Sequence, residues 1–183
     1  MNHSIGQKNA SQLVKNQKGH TVIEMSLLLL PFFLLIISVM EFGWYFLHQH
    51  TLQYATREGM RIALVGETLK DGQGAPLTRE ASIRKLIQEK AKVAAMDIGD
   101  SDIEFWTDPN ATDNNYTGPL VWEDLAPNAG NPADYVRLKV QYQHKFLIPL
   151  FATFFAKSPG DDPTITLNAQ ATYRNELFDV GEV

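Results

Sequence analysis

Residues 25–47 read MSLLLLPFFLLIISVMEFGWYFL, and Glu41 is the one charged side chain among them. As a helix rising about 1.5 Å per residue, this stretch extends roughly 34 Å, close to the ~30 Å hydrocarbon thickness of a bilayer. It has no polar face, which a helix on the surface of a globular protein would need. The alternative is a buried core helix, and the length and unbroken apolarity argue against it. A span predicts a single-pass anchor, running here from Met25 to Leu47.

The flanks set orientation. Residues 1–19 carry Lys8, Lys15 and Lys18 and no acid. Basic residues favour the cytoplasmic side, so the chain after Leu47 is expected to lie across the membrane. Arg57 and Arg61 lie farther from the span and weaken that bias without reversing it. The run is longer than the apolar part of a removable secretory signal, and FGWYFLHQH is a poor peptidase site, so the anchor is expected to stay. Trp44 and Tyr45 suit an aromatic belt at the outer interface. Pro31 is tolerated in lipid but should bend or soften the helix. Glu41 reads as a solvated charge near the helix end.

Composition narrows the function. Removing the three leader lysines from 16 basic residues leaves 13 against 21 acids, a formal charge of −8 on the remainder. An acidic body without clustered Lys and Arg argues against nucleic acid. The chain has no cysteine, which excludes disulfides, thiolate catalysis and cysteine-ligated metal centres. G-x-S-x-G, H-E-x-x-H, P-loop and G-x-G-x-x-G signatures are missing, so neither an enzyme nor a cofactor is expected. His48 and His50 point to different sides of a helix, a poor spacing for metal. His144, next to Lys145 at a strand end, reads as a surface residue.

The junction before the span reads K-G-H-T-V-I-E-M. Gly19 closes the basic stretch, His20 follows, and Glu24 is fifth after the glycine. A carboxylate at the membrane edge is unfavourable unless paired. Cleavage after Gly19 would free an ammonium at His20, and Glu24 of one subunit could meet the ammonium of another. Such a pair would fix register, as a buried polar residue does in a coiled coil.

This arrangement resembles the type IV prepilin processing site. In its order of motifs the chain resembles the TadE-like family of pseudopilins in the tight-adherence (Flp) pilus system. The resemblance rests on Gly19, Glu24, Pro31, Glu41 and Gly43, then Ala55, Gly59, Arg61 and Ala63. It covers roughly residues 17–66. The chain departs from the Flp major pilin in length and in carrying Glu24-Met25 where Glu-Tyr is usual. The resemblance implies cleavage by a prepilin peptidase, and partners among other pilin or pseudopilin subunits, an inner-membrane assembly platform and the lipid bilayer. It implies an inner-membrane protein with a periplasmic body, able to enter a pilus. The competing expectation is an uncleaved anchored binding or sensor domain.

Beyond the span, Ala55, Gly59 and Ala63 recur every four residues on one helical face. Small residues allow close approach of another element, either a neighbouring subunit or the chain's own body. The helix is expected to continue to about Val65 and stop at Gly66. After the DGQGAP turn, Thr78 reads as an N-cap, and Ile83, Leu86, Ile87, Ala91 and Ala94 form an apolar stripe. Alternation over 103–106, 136–142 and 165–173 predicts strands with one face inward. Residues 108–134 are rich in Asp, Asn, Pro and Gly; Asp108, Asp113 and Asn115 there match no EF-hand and read as a solvated loop. Residues 146–156 (FLIPLFATFFA) are too short to span and read either as a connection packed into the body's own core or, the favoured reading, as a patch against the outer leaflet or a neighbouring subunit.

The expected organisation is a basic leader at 1–19, a transmembrane and extended helix at 20–66, and an extracytoplasmic domain at 67–183. The expected fold is α+β and pilin-like, with a long N-terminal helix, a second amphipathic helix and a small antiparallel sheet.

Overall fold

In a computed structural model, described over residues 5–107, 129–148 and 164–176 with side chains from His20 onward, the chain is α+β. Helix α1 spans Ile5–Val65, helix α2 spans Arg79–Ala91, and strands β1, β2 and β3 span Ile103–Thr107, Tyr135–Lys145 and Thr164–Arg174. The loop residues Asp108, Asp113 and Asn115 lie outside the described residues, as does the apolar run beyond Ile148. The chain divides into two units, Met1–Gly43 and Trp44–Val183.

The first unit is helical. Its apolar side chains are bare, with Leu27 74%, Leu30 66% and Leu35 63% exposed. None of the apolar window long enough to cross a membrane is buried inside the fold, so the reading as a soluble core helix fails. An uncovered apolar stretch of this length fits a single-pass membrane anchor. Two serines within it are satisfied internally. Ser26 Oγ donates to Val22 O at 2.8 Å and Ser38 Oγ to Leu34 O at 2.7 Å. A hydroxyl bonded one turn back leaves no donor unpaired in lipid. Pro31 lies inside α1 without ending it. Glu41 is 4% exposed, which corrects the solvated helix-end charge expected for it. A carboxylate is buried only when partnered, and Glu41 is among the residues with a partner.

In the second unit, the outer part of α1 packs with α2 and the sheet. Helix α1 ends at Gly66, whose φ of +70° suits glycine. Gly66 N–H donates to Ala63 O and Glu67 N–H to Ile62 O, satisfying carbonyls the last turn would leave open. Asp71 builds the following turn by accepting from the backbone N–H groups of Gln73 and Ala75, each at 2.8 Å. Thr78 Oγ1 then caps α2 by accepting from Ala81 N–H, with Glu80 in the first turn and Lys90 in the last. Ile83, Ile87 and Ala91 are buried at helical spacing.

The sheet is antiparallel with order β1-β2-β3. Leu138 stands opposite Phe105 on one side and Ala171 on the other. Val136, Leu138 and Val140 are fully buried, whereas the alternating Arg137, Lys139 and Gln141 are only partly so. The core lies between this inner face and the two helices.

Candidate assembly surfaces and a buried histidine pair

Glu24 stands at the head of the bare apolar stretch. Its Oε1 is 3.5 Å from Nε2 of His20, one turn earlier, and both side chains are largely exposed. Such exposed i,i+4 pairs are weak. The Glu24 carboxylate therefore has a partner in its own chain when His20 is protonated, and remains accessible to another charge. Gly19, His20 and Glu24 all fall within unbroken α1.

The small residues of α1 are covered from within the chain. Ala55 and Ala63 are fully buried. A β-carbon placed on Gly59 would stand 2.6 Å from Ile87 Cγ1 and 3.4 Å from Ile83 Cγ2, so α2 lies directly against the helix there. On a neighbouring part of α1, Gln53, Thr56, Arg57 and Met60 line a cavity of about 390 Å³ with residues 168–171 of β3. Its walls offer amides, one guanidinium and the Thr56 hydroxyl, which donates to Leu52 O at 2.8 Å.

The end of α1 is held by Arg79. Its Nη2 donates to Ala63 O and to Asn175 Oδ1, each at 2.6 Å, and its Nη1 donates to Gly130 O at 2.7 Å. Asn175 in turn donates through Nδ2 to Ala129 O and Asn131 O. Burial pulls the Arg79 guanidinium below its usual range, opposed by Tyr173, Asp134 and Glu80. One guanidinium thus ties the last turn of α1 to the start of α2, the segment before β2 and the end of β3.

Two residues on which the sequence reading placed no function come together. His48 on α1 and His144 on β2 are 3% and 0% exposed, with Nδ1 atoms 2.8 Å apart. This corrects the surface role expected of His144. The signal was present: His144 continues the even-numbered inward series Val136, Leu138, Val140 and Tyr142. His48 Nε2 lies 3.1 Å from Ala94 O, while His50 on the same helix is exposed. Aromatic rings surround the pair. Trp44 lies against His48 at 4.5 Å with the ring planes tilted by 55°, Tyr45 meets His144 edge-on at 5.6 Å, and Tyr142 meets His48 edge-on at 5.3 Å. Among the described residues no cluster of three or more His, Cys, Asp or Glu could hold a metal.

Among the described residues, one bare apolar helix and an α+β body place the chain in a class, that of proteins whose apolar helix fits a single-pass membrane anchor. Residues 19–61 match the family described as TadE-like protein, so this part of the chain is similar to that family. The matched region begins at Gly19 and takes in Glu24, Pro31, Glu41, Gly43, Ala55 and Gly59. No curated protein and no solved structure matches the chain.

Proposed function

We propose that the chain is a structural, pseudopilin-like subunit of a tight-adherence (Flp) pilus or a related secretion apparatus, and not an enzyme. It is made with the leader 1–19, held in the inner membrane by the span 25–47, and carries its body in the periplasm. A prepilin peptidase cuts after Gly19. The freed helix then joins other pilin or pseudopilin subunits at an inner-membrane assembly platform. The observation that carries this reading is the position of Glu24, an accessible carboxylate at the head of an uncovered apolar helix and five residues after Gly19. In lipid, an ammonium freed on a neighbouring subunit's His20 would attract it more strongly than in water. The Ala55, Gly59 and Ala63 face serves the body's own packing in this reading, and the subunit seam falls on the bare part of α1.

The test is the mass of the mature N-terminus in membranes expressing the peptidase. A chain beginning at His20 supports the proposal, and Gly19→Leu should leave the leader attached. A chain that keeps residues 1–19 beside an active peptidase rejects it. That outcome would favour an uncleaved single-pass binding or sensor domain, a reading supported by the unbroken run of α1 through Gly19.

A further inference from the structure

We propose that His48 and His144 form an acid-labile latch, in which one shared proton fastens α1 to the end of β2 and to the turn at Ala94, and uptake of a second proton releases it. The inference concerns the Trp44–Val183 body alone and stands whether or not the leader is removed.

The protonation pattern follows from the partners. Ala94 O can only accept, so His48 Nε2 carries a proton and donates to it. In the neutral ring, His48 Nδ1 is then a bare acceptor. The contact of 2.8 Å between the two Nδ1 atoms requires one hydrogen, which must come from His144 Nδ1. His144 is thereby the Nδ1–H tautomer, and its Nε2 is a lone pair, buried and without a hydrogen-bond partner among the described residues. The chain of donors runs in one direction, from His144 through His48 to the carbonyl of residue 94.

A second proton has two places to go, and both break the arrangement. On His48 Nδ1 it sets two N–H donors against each other across the contact. On His144 Nε2 it creates a buried cation whose new N–H has no acceptor. Little nearby would stabilise the charge. From α1 the pair faces Trp44 and Tyr45; from β2 it faces Tyr142, with Phe146 following; the turn offers only a carbonyl. Asp97 acts on Tyr142, which burial and that carboxylate hold in its protonated form. Glu41 shares the helical stripe of His48, seven positions and about 10 Å earlier. Lys92 and Lys145 flank the site in sequence and are exposed. Burial accordingly pushes both imidazoles down, His144 to about 4 with His48 adding to the effect.

The sign follows. A histidine whose folded value lies below its ordinary 6.5 binds its proton better when released. The latch is complete above about pH 6.5 and weakens as pH falls towards 4. At pH 5, one histidine of this kind shifts the equilibrium towards release by roughly thirtyfold relative to pH 7.5.

The experiment is hydrogen exchange on the full chain in detergent micelles at pH 7.5 and 5.0, corrected for the intrinsic pH dependence of exchange. The expected result is exchange about thirtyfold faster at pH 5.0 in residues 44–52, 92–96 and 140–145. A change below threefold there overturns the proposal. The double variant His48→Gln, His144→Asn keeps polar groups and removes both titrations, so its ratio should fall below threefold; a retained ratio overturns the proposal. Nitrogen-15 spectra of the histidines in the unaltered chain provide a readout that needs no variant. At pH 7.5 they should show one Nδ1–H and one Nε2–H ring for this pair. Two Nε2–H rings, or a charged ring at pH 6.5, would reject the latch.

Discussion

Gly59 of α1 and Ile87 of α2 meet where a β-carbon on the glycine would lie 2.6 Å from Ile87 Cγ1. Ile87 is fully buried and β-branched, so it has little freedom to move aside. Replacing glycine by alanine within a helix gains about 1 kcal/mol of propensity, whereas overpacking a tight core costs typically 1–3 kcal/mol. Gly59→Ala should therefore lower body stability by about 1 kcal/mol, and Gly59→Val by more. Thermal unfolding in detergent measures both. A stabilised Gly59→Val would show that α1 and α2 do not approach this closely.

Arg79→Ala removes the donors to Ala63 O, Gly130 O and Asn175 Oδ1 together. Leaving such acceptors unsatisfied costs about 1–3 kcal/mol each where they are buried, and these are partly so. We expect a loss of about 3 kcal/mol, with early exchange at residues 62–66 as the end of α1 loosens. Arg79→Lys should recover little, since an ammonium cannot span three diverging acceptors. Full stability of the lysine variant would contradict the three-way tie.

Leu138 lies on the central strand, fully buried between Phe105 and Ala171. Leu138→Ala should destabilise by about 2–5 kcal/mol, the range for deleting a large core side chain. The neighbouring exchange Lys139→Ala removes one partly exposed ion pair with Glu104 and should change stability by less than about 1 kcal/mol. Chemical denaturation of the two variants side by side tests the inward and outward faces of β2.

Glu24→Ala separates maturation from assembly. Under the proposed function the peptidase still finds Gly19, so the mature mass should be unchanged, while co-purification with other subunits falls at least tenfold. Undiminished co-purification would remove Glu24 from the register role. His20→Ala, which deletes only the weak pair within the chain, should leave both readouts near normal.

What the sequence disclosed followed how local each signal was. The anchor, the Gly66 stop, the Thr78 cap and the three strands rest on neighbours within a few residues. Period and turn chemistry therefore sufficed for them. The Arg79 tie was not legible, because its acceptors at 63, 130 and 175 are brought together only by the tertiary fold. His144 lies between these cases. Its inward direction was written in the alternation of β2, but its partner is 96 residues away, and no local rule connects a strand end to the middle of a helix. Glu41 misled for a related reason, since a carboxylate near the end of a span looks wet unless its surroundings are known.

Strand β1 accompanies β2 only from Val136 to Val140, whereas β3 follows β2 along its whole length to Lys145. Past Val140 the described sheet is a ribbon two strands wide. Such a ribbon is marginal by itself and needs an outside element to hold it flat. That element is α1, gripping it at His144. Within the described sheet the ribbon accordingly has fewer reasons to stay in place, and it should come away as one cooperative piece well before the three-stranded half gives up its order.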